Sequence, residues 1–333
     1  MKPLPLLCAV AAATVAVLAA APARAQSPAE AQVDALEGLF GKQPGFRRSQ
    51  AKGVCASGHF VGNAEGRALS RAAVFSGERI PVVARFSVGG GNPKASDKSR
   101  NSRGLALQFA LPNGEQWQMA NISAPIFFVA RPEQFAPFFR VRTPDAATGK
   151  PDAARLEAFN QAHPETTRQG AYFAKAPVPA SYAGVNYWGV NAFEVTNAQG
   201  AKQFVRWQFE PAAGLASLSD EQLAAMPDDF LADELRRRVA TAPAEFDFRF
   251  QLAEPGDAVT DPTTAWPATR KLVSVGRLVI DRVEPGAGGA CERITFNPLV
   301  LPAGIAPSAD PVLQGRAAPY VVSLGRRLSE AAR

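Results

Sequence analysis

The sequence predicts an α+β fold, an antiparallel sheet or barrel with helical additions and one long helix at its C-terminal end. Three observations predict it. Many short strand-like segments come first, broken by Gly, Pro and Asn. Helical patterns are inserted between groups of strands rather than alternating with each strand, which argues against a parallel α/β sheet. One long helix, ending near Ser329, closes the chain.

The elements follow in order. Met1-Lys2, an apolar run over 4–21 and Ala23-Arg24-Ala25 read as a secretory signal peptide, residues 1–25, cleaved after Ala25. The run is short for a membrane span, and Cys8 lies too early for a lipoprotein site. The expectation is a soluble, exported, periplasmic protein that begins near Gln26, with no stable membrane anchor. Residues 31–42 pattern as an amphipathic helix with Val33, Leu36, Leu39 and Phe40 on one side. Strands are expected over 52–65, 79–88, 106–111 and 116–120, with a long polar loop over 89–104. An apolar segment over 124–130 ends at Arg131-Pro132, before a helix over 133–140. Strands follow over 185–194 and 203–210. Residues 218–239 are the clearest helical region, capped by Ser219, interrupted at Pro227 and carrying Leu231, Leu235 and Val239 at helical spacing. Strands over 244–252 and 272–283 complete the set. No linker or repeat divides residues 26–333, so they are read as a single domain.

Composition narrows the function. The formal charge is +6, and loss of Lys2 and Arg24 with the leader makes it +4. Basic residues are scattered, which fits a solvated surface and not a nucleic-acid interface. Only two histidines, His59 and His163, occur, and no Cys-x-x-Cys or His-rich pattern suggests zinc or an iron–sulfur cluster. Cys55 and Cys291 survive cleavage. An oxidising compartment makes a disulfide between them available, although sequence alone supplies no geometry.

The most informative run is Ser308-Ala309-Asp310-Pro311-Val312-Leu313-Gln314-Gly315-Arg316-Ala317-Ala318-Pro319-Tyr320. Asp310 is a helix cap and Pro311 suits a first turn. Arg316 and Tyr320 are then i,i+4 neighbours. A guanidinium beside a phenol favours the phenolate, and a phenolate is a hard anionic ligand for ferric iron. Pro319 is an oddity, since it removes a helix hydrogen bond just before Tyr320, and Gly315 relieves part of the ring clash.

Further motifs stand in a fixed order along the chain: Arg47-Arg48-Ser49-Gln50-Ala51-Lys52-Gly53, then Val83-Ala84-Arg85-Phe86-Ser87-Val88-Gly89-Gly90-Gly91-Asn92-Pro93, Arg103-Gly104-Leu105-Ala106-Leu107-Gln108-Phe109, Pro125-Ile126-Phe127-Phe128, and Thr295-Phe296-Asn297-Pro298 through Tyr320 to Arg327. With this set the chain resembles the catalase superfamily, specifically its small catalase-related peroxidases. The resemblance implies a haem-filled, catalase-like antiparallel β-barrel wrapped by helices, with a C-terminal helix that carries the haem ligand and with haem b as cofactor. Residue by residue, it implies Tyr320 as iron ligand and Arg316 as the arginine that keeps that tyrosine ionised. Arg47, Arg85 and Arg327 match arginines that pair with haem propionates, a task suited to the guanidinium fork. Ser87 matches a serine that hydrogen-bonds the distal histidine, and Phe127 and Phe128 are apolar walls near the haem.

The distal side departs from the family pattern. Gln50 stands where a histidine precedes Ala-Lys-Gly. That histidine moves a proton between the two peroxide oxygens, and a glutamine amide accepts no proton at ordinary pH. His59 lies nine positions on, about 30 Å away in an extended segment, with its side chain on the opposite strand face. His163 reads as a loop residue. The distal asparagine position falls on Ser123, with Asn121 two residues upstream. The expected function is an exported haem peroxidase that reduces hydrogen peroxide or organic hydroperoxides with an unidentified small-molecule electron donor and with reduced true catalase activity. It would act as a monomer or small homo-oligomer. The alternatives are a haem-binding protein for storage, sensing or scavenging, and an isomerase of lipid hydroperoxides.

Overall fold

The computed structural model describes residues 26–285 and 289–331. The expected leader, residues 1–25, lies outside the described residues. The strands are β1 (Gly53–Gly62), β2 (Arg79–Val88), β3 (Arg103–Ala110), β4 (Gln116–Ile122), β5 (Tyr187–Thr196), β6 (Lys202–Pro211), β7 (Ala244–Leu252), β8 (Leu272–Val283) and β9 (Ile305–Pro307). The helices are α1 (Pro28–Phe40), α2 (Ala64–Leu69), α3 (Phe135–Arg140), α4 (Ala153–Ala162), α5 (Arg168–Lys175), α6 (Asp220–Ala225), α7 (Leu231–Thr241), α8 (Pro311–Gln314) and α9 (Ala317–Ala331).

The strands pair antiparallel in the order β4-β3-β2-β1-β8-β7-β6-β5. Ile122 of β4 meets Trp188 of β5 and closes the ring, so the first eight strands form a barrel. Closure leaves no free edge along the ring. β9 lies outside it, paired with the second half of β5 through Phe193 and Pro307.

Alternation along each strand decides which residues fill the barrel. On β2, Val82, Ala84, Phe86 and Val88 belong to the main core, while Arg85 and Ser87 point to the other face. Phe60 packs edge-on against Phe75, Phe109 and Phe248. Trp117 packs against Phe109, Trp207 and Phe248. These side chains are fully or almost fully buried, and they correct one expectation. The barrel interior is filled by its own aromatic residues, and the large cavity lies on its outer face.

Eight strands sit where the periodicity placed them, within a few residues at their ends. The expected strand over 52–65 stops at Gly62, because the Asn63 side chain accepts from Gly66 N (2.9 Å) and starts α2. The helical region over 218–239 divides at Pro227 into α6, capped by Ser219, and α7. α4 and α5 were not anticipated, and neither has a fully buried side chain. α4 has little apolar asymmetry to read, and α5, at eight residues, is too short for its period to stand out. Cys55 and Cys291 form a disulfide with Cα atoms 5.4 Å apart.

Candidate active site

A cavity of about 700 Å³ lies between the outer face of β2–β4 and helices α1, α3 and α9. This is the range of small-molecule and cofactor sites. Its strand floor is built from small or short side chains, Ser87, Gly104, Ala106 and Ala120, each paired across the ladder with its neighbours. Among the described residues seven arginines line it, and no acidic residue does.

On one wall, α8 and α9 replace the single helix that the sequence suggested. Asp310 caps α8 by accepting from Val312 N (2.8 Å), and the chain turns at Gly315 before α9 begins at Ala317. Pro319 is therefore the third residue of α9. Its missing N–H falls among donors that a helix start leaves unpaired, so it interrupts nothing. The turn aims Arg316 at Tyr320. Nε donates to the phenol oxygen at 3.1 Å, and Nη2 donates to the same atom. Nη1 donates to Asn191 Oδ1 (3.2 Å), whose Nδ2 donates in turn to buried Asp310 Oδ2 (2.7 Å). Burial holds the Asp310 carboxyl above its ordinary value, against the pull of its hydrogen bonds. Three side chains, Arg316, Asn191 and Asp310, thus fix Tyr320 in the cavity wall.

Gln50 lines the same cavity. Its backbone is left-handed, with φ 55°, and two buried donors hold it: Arg85 Nη1 on Gln50 O (2.7 Å) and Arg85 Nη2 on Ala51 O (3.0 Å). Ser87 Oγ donates to Gln50 Oε1 at 3.0 Å. The amide oxygen is thereby engaged, and Nε2, a donor only, has no partner among the described residues. Gly104 makes room for this pair. A Cβ there would collide with Ser87 Oγ and stand 3.0 Å from Gln50 Oε1.

Asn121 and Ser123 have other work. Asn121 Nδ2 donates to Leu105 O (2.9 Å), and Trp207 Nε1 donates to Asn121 Oδ1 (2.8 Å), so both ends of the amide are committed within the barrel wall. Ser123 lies outside the cavity lining, where its hydroxyl accepts from Arg103 N (2.8 Å). Neither presents a free polar atom beside Gln50. His59 faces Asp281, with Nδ1 3.4 Å from its carboxylate, and His163 Nδ1 contacts Gln134 Nε2 at 3.0 Å. Neither histidine lines the cavity.

At one end, three arginines surround a single carboxylate. Glu292 accepts from Arg85 Nε (2.9 Å) and lies 3.5 Å from Arg47 Nε and 3.6 Å from Arg327 Nη1. Arg47 Nη2 also donates to Cys291 O and Ile294 O, both at 2.9 Å. Burial, then the neighbouring cations, push Arg47 below the ordinary guanidinium value, while the arginines hold Glu292 below the ordinary carboxylate value despite its burial. Arg47 Nε and Arg327 Nη1 are buried without a hydrogen-bond partner. Three cations, one anion and two orphaned donors call for further negative charge, which the two propionates of a haem would supply. The residues present fit that group: a tyrosine oxygen in one wall, a small-residue floor and a cationic end. Phe128 adds an apolar wall, with its ring centroid 4.3 Å from that of Phe127.

Sequence reasoning missed Glu292 and Asn191. Glu292 acquires its place only when the disulfide brings residue 291 to β1, and Asn191 only through the irregular middle of β5, where pairing with β6 shifts register between Gly189 and Phe193. No local pattern marks either.

A closed antiparallel barrel with a tyrosine–arginine pair and an arginine-lined cavity on its outer face defines a narrow structural class. Comparison with solved structures finds the same barrel. A fungal catalase matches with a TM-score of 0.77 at 23% identity, covering 87% of this chain and 60% of its own, and a bacterial catalase matches equally well over 86% and 58%. The chain therefore spans about 60% of the length of those catalases. The family model for catalase matches residues 44–332. A catalase-related peroxidase of Synechococcus elongatus is 45% identical over 89% of this chain and 87% of its own. Another, from Mycolicibacterium paratuberculosis, is 34% identical over 89% and 93%. The chain belongs to the catalase family, and it is a peroxidase-type oxidoreductase of that family.

Proposed function

We propose that the protein is exported to the periplasm and there reduces hydrogen peroxide or organic hydroperoxides, with haem b as cofactor and a small-molecule electron donor. The observation that carries this reading is the Arg316–Tyr320 pair in a cavity that also has an unsatisfied cationic end. Bound haem supplies the redox chemistry of peroxide cleavage. Tyr320 would be the iron ligand, its phenol oxygen held by Arg316, which Asn191 and Asp310 steady. Arg47 and Arg327 offer their orphaned donors to the propionates. Arg85 has two N–H groups left for the same purpose after serving Gln50, Ala51 and Glu292. Cys55 and Cys291 are bonded to one another, so among the described residues no thiol is left for covalent attachment of the cofactor.

On the distal side, Gln50 Nε2 donates a hydrogen bond that orients an incoming peroxide, and Ser87 keeps the amide from turning over. Gln50 cannot take the peroxide proton, and among the described residues no acid or histidine lines the cavity to do so. Proton transfer then depends on water, so true catalase activity is low.

The test is to load the mature protein with haem and follow its optical spectrum on mixing with peroxide. A tyrosinate-type ferric spectrum that converts rapidly to an oxidised form, then returns on addition of a donor, is expected. Stable haem binding with no fast change would overturn the peroxidase reading in favour of a haem carrier. Dismutation at the rate of an efficient catalase would overturn the assignment to Gln50.

A further inference from the structure

Most of the cationic lining is accounted for. Arg47, Arg85 and Arg327 share Glu292, Arg48 has Glu37 and Glu330, and Arg100 has Asp220. Arg316 gives its donors to Tyr320 and Asn191. Arg142, two residues beyond α3, is left. Its guanidinium lies over the Phe138 ring, 3.6 Å from the centroid, and 5.8 Å from that of Phe159. Nη1 donates to Phe138 O (2.9 Å) and Nη2 to Asn160 Oδ1 (3.1 Å). A guanidinium has five N–H groups, so three remain. Among the described residues no carboxylate lies within 4.0 Å of it. Burial lowers its proton affinity, with no anion nearby to restore it.

The surroundings are apolar. Phe128, Phe135, Phe138 and Phe139 pack with ring centroids 4.7–5.4 Å apart, and all four line the cavity with Arg142 and Asn160. A partly desolvated cation beside aromatic walls gains most from an anion carried on an apolar body. The carboxylate takes the unused fork of donors, and the body is removed from water.

We propose that Arg142 and Asn160 form a carboxylate-recognising subsite, and that the preferred hydroperoxide is one borne on an apolar carboxylic acid. The subsite is a binding property; only the word hydroperoxide rests on the peroxidase reading. A neutral peroxide reaches the same cavity but gains nothing from Arg142.

The test uses the haem-loaded protein and two unreactive probes of one shape, 4-isopropylbenzoate and 4-isopropylbenzamide, by titration calorimetry. The acid is expected to bind ~10-fold tighter, the worth of one charge-assisted contact. Arg142→Gln should abolish the difference and Arg142→Lys should restore part of it. Equal binding of acid and amide, or a preference that survives Arg142→Gln, overturns the subsite. Cumene hydroperoxide and its 4-carboxy derivative then separate the two readings. A lower KM for the acid, with the ratio collapsing in Arg142→Gln, supports both. A binding preference with turnover of neither hydroperoxide leaves the subsite standing and removes the peroxidase reading. Turnover of both without preference does the reverse.

Discussion

Gln50 meets the cavity as a hydrogen-bond donor, because Ser87 Oγ occupies its oxygen. Its left-handed φ of 55° is one that histidine tolerates better than most residues. Gln50→His therefore fits the backbone that Arg85 holds, and Ser87 remains placed to bond the ring. That variant should raise peroxide turnover by ~100- to 10,000-fold, the range for a positioned acid–base group. Stopped-flow mixing with peroxide measures it, and an unchanged rate would mean the limiting defect lies elsewhere. Gly104→Ala tests the same pair from the floor, since the added Cβ runs into Ser87 Oγ. It should loosen the distal amide and shift the spectrum of a bound exogenous anion; a spectrum identical to wild type would show that the Ser87–Gln50 contact does not shape the distal side. Gln50 and the Arg316–Tyr320 spacing were legible in the sequence, because each is a local pattern. Asn121 lines the cavity with Gln50 while Ser123 does not, and the partners that hold them, Trp207, Leu105 and Arg103, come from other strands that no local pattern announces.

At the scale of elements, α9 is fastened at both ends. Its N-terminal turn holds Tyr320. Its last turn holds Glu330, which accepts from buried Arg48 Nη2 (2.7 Å to Oε1) and from Gly45 N (3.2 Å), close to the segment that carries Gln50. The Arg48 guanidinium draws the Glu330 carboxyl down to about 2. An unfolded glutamate titrates near ~4.3, so the folded value is depressed. The bond's contribution is then fully present above ~pH 4.3 and is lost as pH falls through about 2. Glu330→Gln should cost about 2 kcal/mol at pH 7 and flatten the loss of stability across that acid window. Denaturant midpoints at pH 7, 4 and 2.5 check this; equal pH slopes in wild type and variant would remove Glu330 as the cause. The strands and α1 and α7 were readable because each presents a buried periodic face, and α9 because the Arg316–Tyr320 run marks its start. The exposed α4 and the three-residue β9 have no such face to read, and α5 is only eight residues long.

Over the whole molecule, the barrel fills itself with aromatic side chains and leaves its outer face to the site. The cationic end of that site is held from two directions, by Arg85 on β2 and by Glu292 and Arg327 from the last third of the chain. The sequence carried the strand half plainly. The other half depends on long-range closure, above all the bond between Cys55 on β1 and Cys291, a sequence separation of 236 residues. Cys291 precedes Glu292, and its carbonyl accepts from Arg47, while Cys55 pairs across the ladder with Arg85. One covalent link thus closes most of the described chain and seats the carboxylate that the three arginines share. A Cys55→Ser, Cys291→Ser double variant should lose about 2–5 kcal/mol of stability. It should also release haem faster, as read by transfer to a haem-free globin, because Glu292 and the Cys291 carbonyl no longer hold Arg47 and Arg85 in place. Lower stability with an unchanged haem off-rate would confine the disulfide to a folding role and detach it from the cationic end of the site.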